Sequence, residues 1–521
     1  MTTFVAKELS RTLGTELTIG KIDIGLLNRI IIDDVLLDDQ SGKEMLKITR
    51  LSAKFDIIPL FNGKIAISSV QLFGFNINLN KPTPNTDPNF KFVLDAFASK
   101  DTVKTDKSLD LRINSILIRR GKLAYDVLSE KETPGKFNPK HVKLHNIIAN
   151  ISLKALQGDS INAAIKRLSV DEQSGFELRK LSLKVIANDR GMKIENFAIE
   201  MPGTEMKMDT IQMEYDSLGA LNHFADEVRF SFRTLPSYVT LNDISAFVPA
   251  LSNFKEKLDL GIDVEGTLNQ LNCKTLEINA GDKFRLKGDV SLQDLSRPQD
   301  AYVYGHLANL SANNDGIGFL VRNLSPHYNG VPPILQRLGN ASFHGEISGY
   351  FTDLVMYGLF RTNIGSVQTD LKLSSDKAKA LFSYSGGVKT TDFALGQLLD
   401  NKQLGKITFN LNVQGSHYRN QYPAITLKGL IAALEYSNYK YENITLDGEF
   451  ERGGFDGKVA LDDENGSIHL NGNINVVEKI PTFNFNAVID KVRPHDLNLT
   501  KDYPDAEFSL KLKANFRGGS I

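Results

Sequence analysis

Apolar and polar residues alternate with a period of two along most of this chain. The runs at 73–80, 260–265, 407–414 and 508–513 show it most clearly. Successive side chains of a β-strand point to opposite faces of the sheet, so each run has one apolar and one solvated face. A sheet with one solvated face is typically antiparallel. The alternation therefore predicts a mostly β fold, with an elongated, twisted, antiparallel sheet.

Turn-forming dipeptides separate several of these runs. They are NG at 62–63, DG at 447–448, GG at 453–454 and NG at 465–466. Such pairs readily adopt the left-handed backbone conformations of tight hairpin turns. We therefore expect hairpins and meanders rather than long crossovers.

Helical patterns are few and short. Apolar residues recur at helical spacing in five places, and Gly14 follows the first of them as a stop signal. Pro249 is expected to bend or shorten the third. The predicted helices lie near 4–13, 90–97, 243–251, 334–338 and 393–399.

The last half of the chain contains a weak repeat. In each copy a short apolar, helix-like piece precedes an alternating strand, and the four copies end at Gly266, Gly349, Gly415 and Gly518. Repetition of this kind favours one repeating architecture over unrelated domains. We divide the chain into an N-terminal entry region at 1–100, a β segment at 101–240 and repeated helix-plus-strand units at 241–521.

The composition excludes several classes of protein. The chain has 521 residues with 61 Lys and Arg against 62 Asp and Glu, so it lacks the basic excess that a nucleic-acid-binding protein needs. A single cysteine, Cys273, allows no intrachain disulfide. No run of about 18 apolar residues predicts a membrane-spanning helix, and the N-terminus does not resemble a signal peptide.

Common catalytic and nucleotide-binding motifs are absent. The sequence contains no GxxxxGK[ST] loop, no GxSxG elbow and no HExxH helix. His141 and His145 lie four residues apart, a spacing that could hold zinc on a helix. Their neighbours indicate a strand, where about 13 Å would separate them, so we interpret both as surface histidines.

Acidic pairs suggest no chemistry either. Adjacent residues of a strand point to opposite faces, so Asp33-Asp34 and Asp38-Asp39 are interpreted as solvated strand ends. The DDENG run at 462–466 could bind calcium loosely, but a hairpin turn explains it better. Cys273 has no neighbouring histidine in the sequence and is interpreted as structural. We therefore predict no catalytic residues, no metal and no cofactor, and a protein that is not an enzyme.

The predicted helices are too few to cover the apolar face. It could pack on a second sheet in a sandwich or barrel, face lipid in an outer-membrane barrel, or line an open groove for an apolar ligand. The absence of Trp and the scattered charges disfavour the outer-membrane barrel. From the residues alone, a closed core and a ligand-lining face are equally well supported.

Four motifs in order near the N-terminus resemble TamB proteins of the Bacteroidota type, within the AsmA-like group. They are an entry strand with the pattern G-x-x-[LI]-T-I-G-x-[IV], an aspartate-containing strand, an L-x-A-x-[FY]-D-I-I-P-L segment and an I-x-S-V-x-L-x-G-F strand, at Gly14–Ile22, Ile30–Asp39, Leu51–Leu60 and Ile67–Phe75. Later segments are similar to the repeats in the middle of that family.

The resemblance implies a β-taco-like groove, with an AsmA- or chorein-like entry region at 1–100. It implies a periplasmic protein, anchored in the inner membrane by an N-terminal helix, that carries phospholipid to the outer membrane. It also implies support of outer-membrane protein and autotransporter assembly with a TamA-like barrel partner. The chain begins where the family's anchor ends and stops before its C-terminal region, so we expect a fragment or a late-started reading frame.

The main hypothesis is thus an envelope protein that transports lipid or assists assembly. Twelve apolar residues are the candidates for the lipid groove: Phe73, Phe75, Ile77, Leu79, Ile262, Val264, Ile407, Phe409, Leu411, Val413, Phe483 and Phe485. The alternative is a structural or adhesive β repeat protein with a closed core. A carbohydrate-active β-solenoid enzyme would need clustered carboxylates on one face, which the sequence does not show.

Overall fold

The computed structural model describes residues 2–25, 28–55, 65–97, 109–110, 114–157, 160–297, 299–324, 330–376, 381–418, 424–476 and 480–518. Strands make up 63% of the structure and helices 12%. The prediction of a mostly β, antiparallel protein with a few short helices is therefore confirmed. The chain divides into two compact units, Met1–Glu265 and Gly266–Ile521. The three-part division made from the sequence stays a prediction.

The first unit contains strands β1 to β15, of which β15 crosses the division. Their bounds are β1 Leu17–Gly25, β2 Arg29–Asp38, β3 Glu44–Phe55, β4 Ile65–Lys81, β5 Leu109–Asp110, β6 Ser115–Val127, β7 His141–Gln157, β8 Ser160–Glu172, β9 Glu177–Ala187, β10 Gly191–Glu200, β11 Glu205–Lys207, β12 Ile211–Glu214, β13 Arg229–Arg233, β14 Ser237–Val239 and β15 Leu258–Thr267.

Most neighbouring strands in the first unit are antiparallel. β1 to β4 form a meander, and β6 to β10 form a second one. The two meanders are joined by a parallel pair, β4 with β6, in which Phe73 lies beside Arg119. The sequence pattern did not predict this parallel pair, because alternation along one strand does not specify the direction of its neighbour.

The second unit contains strands β16 to β29. Their bounds are β16 Gln270–Ala280, β17 Phe284–Gln293, β18 Tyr302–Ala312, β19 Ala341–Tyr350, β20 Asp353–Thr362, β21 Gly365–Asp376, β22 Leu381–Phe393, β23 Leu404–Tyr418, β24 Ala424–Tyr436, β25 Tyr439–Glu451, β26 Gly454–Asp463, β27 Gly466–Asn475, β28 Thr482–Val492 and β29 Phe508–Arg517.

Each of these strands pairs antiparallel with the next one along the chain. Short helical or turn segments precede β15, β19, β23 and β29, in agreement with the predicted repeat. Two of the four predicted hairpin dipeptides lie at turns, those at 453–454 and 465–466. Asp447-Gly448 lies inside β25, and the dipeptide at 62–63 lies outside the described residues.

The described helices are α1 Thr2–Leu13, α2 Lys91–Phe97, α3 Phe224–Glu227, α4 Asn314–Leu324, α5 Pro333–Arg337 and α6 Leu395–Leu399. Four of the five predicted helices are thus found, as α1, α2, α5 and α6. At 243–251 the structure has only two 3₁₀ turns, Leu241–Ile244 and Pro249–Leu251. Pro249 supplies no backbone N–H, so a continuous helix does not extend through it. Helices α3 and α4 have no counterpart among the helices predicted from the sequence.

Helices α1 and α2 pack on one end of the first meander. Leu13 of α1 is buried with Leu17, Leu37 and Met45 from the first three strands, and residues of α2 pack against this cluster. Gly14 ends α1 in a left-handed conformation (φ +67°), and its N–H donates to the Ser10 carbonyl, as in a helix C-cap. The prediction that Gly14 ends α1 is confirmed.

Candidate functional site

Residues that face each other across the strands of the second unit form continuous apolar rows. Register partners in an antiparallel sheet share a face. One row, through β22 to β29, consists of Val388, Leu411, Gly429, Leu446, Val459, Leu470, Ala487 and Leu512. The adjacent row consists of Gly386, Val413, Leu427, Gly448, Gly457, Gly472, Phe485 and Ala514. We call the surface defined by these two rows the apolar face.

The opposite face of the same strands is polar. The row that alternates with those above consists of Gly387, Asn412, Lys428, Asp447, Lys458, Asn471, Asn486 and Lys513. Lys428 Nζ lies 2.8 Å from Asp447 Oδ2 in an exposed ion pair. The next row on this face also contains the exposed Leu430 and Val488, so the sheet separates an apolar surface from a predominantly polar one over eight strands.

Large side chains on the apolar face are not uniformly buried. Leu411 and Leu446 are buried, Val413, Leu427 and Phe485 are half-buried, and Leu512 is 42% exposed. The largest side chains that are completely buried in the described part of the chain are Leu497 and Val228, and neither belongs to this face. The core of a closed sandwich would bury its Leu and Phe residues more completely.

Two compact apolar clusters lie near the ends of strands in the second unit. Ile407 is buried with Ile364 and Phe393, and Leu395 and Leu398 of α6 pack against this cluster. Near the C-terminal strands, Leu497 is completely buried with Tyr441, Leu461 and Val492. The Tyr441 hydroxyl donates to the Leu497 carbonyl at 2.7 Å. These clusters are local cores, distinct from the half-buried rows between them.

The four candidate groove residues of β23 share one face but differ in their surroundings. Ile407 and Phe409 belong to the cluster beneath α6. Leu411 and Val413 follow on the same strand and lie in the two rows of the apolar face. Phe485 lies in the second row, and the Phe483 ring stacks on Phe516 with centroids 4.8 Å apart. The structure thus brings Leu411, Val413 and Phe485 onto one surface.

In the first unit, Phe75, Ile77 and Leu79 lie on one face of β4. Phe75 and Ile77 pair with Ile48 and Leu46 of β3. Leu79 packs on the cluster beneath α1 and α2.

Phe73 does not share that face. Gly74 is left-handed (φ +63°) and interrupts the alternation, so the apolar positions change phase from Leu72 to Phe75. The register partners of Phe73 are Arg50 on β3 and Arg119 on β6. The sequence-based assumption of one uninterrupted stripe from Phe73 to Leu79 is therefore wrong at Phe73.

The two candidates in β15 lie beside the short strands of the first unit. Val264 is buried and Ile262 is half-buried. The Ile262 N–H donates to Thr234 Oγ1 at 2.8 Å, and its carbonyl accepts from the Thr234 N–H at 2.9 Å. These contacts hold Ile262 by its backbone, and its side chain remains a candidate.

His141 is buried, so its interpretation as a surface histidine is wrong, whereas His145 is exposed. His141, Asp126 and Glu132 bring three potential ligand atoms within 4.8 Å of one another. The His141 Nδ1 atom is 2.8 Å from Asp126 Oδ1, and Nε2 is 3.0 Å from the Glu130 carbonyl oxygen. A metal would have to displace one of these hydrogen bonds, so we interpret the group as a structural cross-link between β6, β7 and the loop that joins them.

The acidic pairs differ from one another. Asp33 accepts two hydrogen bonds from Arg50, which is the first cause that keeps the pKa of Asp33 below its ordinary value. Asp39 is buried, so the prediction of a solvated strand end is wrong there. Burial raises the pKa of Asp39, but hydrogen bonds from Ser41 and Lys43 outweigh it and hold the pKa below its ordinary value. Asp39 thus stabilises a turn.

The DDENG run forms the turn between β26 and β27, where Asp463 accepts hydrogen bonds from the Glu442 and Asn465 N–H groups. Cys273 is buried, and its Sγ lies 3.0 Å from the Thr275 carbonyl oxygen. Both arrangements are structural, as the sequence analysis proposed.

A group of arginines was not selected from the sequence. Arg119, Arg120 and Arg167 line one cavity of about 750 Å³ in the first unit, together with Phe73. The only sequence signal was the RRG run at 119–121, which interrupts the alternation of β6. Arg167 carries no such signal, because only the register of β6, β7 and β8 brings it to the others.

None of the helices in the described ranges is long and apolar enough to cross a membrane. No protein-family model, no curated protein and no solved structure matches the chain.

Proposed function

We propose that the chain is a non-enzymatic envelope protein that carries phospholipid along the apolar face of its sheet. The proposal includes support of outer-membrane protein assembly, directly or through the lipid that it supplies. The single observation that carries it is the pair of uninterrupted apolar rows through β22 to β29, with half-buried side chains.

An acyl chain on this face would remove apolar surface of both molecules from water. Burial of each CH₂ group contributes about 0.8 kcal/mol. A contiguous apolar surface of this kind commonly marks a binding surface. The row of glycines is itself covered by apolar surface, since a Cβ atom on Gly448 would lie 2.4 Å from the Phe455 ring.

The envelope setting rests on the resemblance of the N-terminal motifs to TamB proteins. By that resemblance the protein would work in the periplasm, be held at the inner membrane by an N-terminal helix, and deliver lipid to an outer membrane containing a TamA-like barrel. The alternative function, a structural β repeat, draws support from the closed clusters around Ile407 and Leu497.

Mass spectrometry of lipids that co-purify with the chain from a Gram-negative periplasm tests the proposal. The test variant is Val413→Asp with Phe485→Asp, which places two charges on the apolar face. The matched control is Asn412→Asp with Asn486→Asp, which adds the same charges to neighbouring residues of the polar face. We expect phospholipid with the wild type and the control, and its loss from the test variant.

Two outcomes would contradict lipid carriage. One is a wild-type chain that carries no lipid, and the other is full retention by Val413→Asp with Phe485→Asp. If the wild type carries no lipid and the Val413→Asp, Phe485→Asp variant melts at a much lower temperature, the apolar face is a closed core. That result would support the structural alternative.

A further inference from the structure

The first unit contains a surface, separate from the apolar face of the second unit, that has the chemistry of a ligand site. It is a cavity of about 750 Å³ between β4, β6, β7 and β8, within the usual size range of small-molecule sites. Its lining combines three cations, Arg119, Arg120 and Arg167, with three apolar side chains, Phe73, Leu117 and Ile148.

The strand register explains how these distant residues meet. Phe73 on β4 lies beside Arg119 on β6 because the two strands are parallel. Leu117 pairs with Asn150 of β7, and Asn150 pairs with Arg167 of β8. These three strand pairings place Arg167 on the same face of the sheet as Phe73. Phe75 lies on the opposite face.

The left-handed residues of β4 and β6 complete the cavity. Gly74 and Arg120 have φ values of +63° and +56° at equivalent positions of the two strands. This local change in backbone direction lets Arg119 and Arg120, although adjacent in sequence, line the same cavity.

The three arginines are available to a ligand. All are exposed, and within the described ranges none of them makes an ion pair or a side-chain hydrogen bond. Their neighbour Arg50 differs, because its guanidinium donates to both carboxylate oxygens of Asp33, at 2.6 and 3.1 Å. No carboxylate lines the cavity, so its positive charge is not neutralised from within.

Guanidinium groups match the oxygens of phosphate through paired N–H donors. A free inorganic anion would need only the arginines, whereas the half-buried Phe73, Leu117 and Ile148 offer an apolar wall as well. We propose that this cavity binds an anionic amphiphile, with its phosphate headgroup on Arg119, Arg120 and Arg167 and the start of its hydrocarbon on Phe73. The site lies on the face opposite Phe75, so it goes beyond the proposed function and is tested separately from it.

Calorimetric titration of the full chain with dihexanoyl phosphatidic acid is the direct test. The comparison ligands are dihexanoyl phosphatidylcholine, which has the same tails with a zwitterionic headgroup, and inorganic phosphate. The test variant is Arg119→Gln with Arg167→Gln. The matched control is Arg190→Gln with Arg229→Gln, two exposed arginines of the same unit outside the cavity.

We expect phosphatidic acid to bind the wild type at least tenfold more tightly than either comparison ligand. The Arg119→Gln, Arg167→Gln variant should lose at least tenfold in affinity, and the control should retain wild-type affinity. Phe73→Ser should weaken binding of phosphatidic acid without changing the response to inorganic phosphate.

Unchanged affinity in the Arg119→Gln, Arg167→Gln variant would overturn the site. Equal affinity for inorganic phosphate would overturn the assignment to an amphiphile. The Val413→Asp, Phe485→Asp variant separates this inference from lipid carriage on the apolar face. It should bind phosphatidic acid like the wild type, and loss of that binding would place the ligand on the other surface.

Discussion

The ring of Phe75 occupies the space that a side chain on Gly121 would need. A Cβ atom built on Gly121 would lie 2.3 Å from Phe75 Cζ and 3.0 Å from Ile147 Cβ. Gly121 is buried on β6, and Phe75 is buried on the adjacent β4. An aromatic ring thus covers a glycine on the neighbouring strand and completes the packing of this part of the first unit.

Gly121→Ala should therefore destabilise the first unit by about 1–3 kcal/mol, the usual cost of overpacking. Phe75→Leu in the same chain should recover part of that loss, because the shorter side chain makes room. Urea denaturation of the two single variants and the double variant measures the coupling. Gly219→Ala, whose Cβ has no contact closer than 3.4 Å, serves as the control. Additive effects of Gly121→Ala and Phe75→Leu would contradict the contact.

Gly74 should be needed for the change of face between Phe73 and Phe75. Its φ of +63° is disfavoured for other residues, and an added Cβ would lie 2.7 Å from Thr49 Oγ1. We expect Gly74→Ala to lower the free energy of unfolding by about 1–3 kcal/mol. The double variant Thr49→Ala, Gly74→Ala should recover only the part of the stability loss that comes from the clash with Thr49. The part that comes from the left-handed backbone should remain. Wild-type stability of Gly74→Ala in urea would mean that β4 alternates without interruption.

Phe409→Asp should unfold part of the second unit rather than alter only a lipid surface. Phe409 packs against the buried cluster of Ile364, Phe393 and Ile407, so its loss and the burial of a carboxylate should cost roughly 3 kcal/mol or more. Asn410→Asp, at the next and exposed position, is the matched control. Thermal denaturation followed by far-ultraviolet circular dichroism distinguishes the two variants, and equal melting temperatures would exclude Phe409 from a core.

Tyr439 should make stability fall at alkaline pH. Burial, followed by the hydrogen bond that its hydroxyl donates to Asp463, raises the pKa of Tyr439 from 10.0 to about 12. Between these values the unfolded chain has lost the phenolic proton while the folded chain still holds it. The free energy of unfolding therefore falls as pH rises from about 10 to 12, and the stabilisation is fully present below pH 10.

Urea denaturation of wild type and Tyr439→Phe across pH 8 to 12 checks this. The wild type should lose stability relative to Tyr439→Phe above pH 10, because phenylalanine has no proton to release. Tyr503→Phe is the control, since Tyr503 is 78% exposed. A constant difference between wild type and Tyr439→Phe over the whole range would contradict the raised pKa.

Much of the fold could be predicted from local patterns. The alternation at 407–414 and 508–513 is a property of single strands, and both runs are strands in the structure. Helix α1 and its end at Gly14 also follow from neighbouring residues, because helix formation and capping involve contacts only a few positions apart.

The candidate site was accessible from the sequence only in part. The structure places Leu411, Val413 and Phe485 on one face, because period-two alternation assigns a face when a strand is regular, and their role in a lipid groove stays a prediction. Ile407 and Phe409 fit the same pattern, but they belong to a local cluster against which α6 also packs. Nothing in the alternation of β23 indicates which of its residues another element will contact.

The amino-acid sequence by itself therefore determined the β class, the short helices and the existence of an apolar side, because these depend on neighbours along the chain. Only the tertiary structure decided that Phe73 leaves the stripe at Gly74, and that Arg167 joins Arg119 at a cavity. Both depend on backbone conformation and on pairing between strands that are tens of residues apart. Register across a sheet is set by the packing of whole strands, and no single segment contains it.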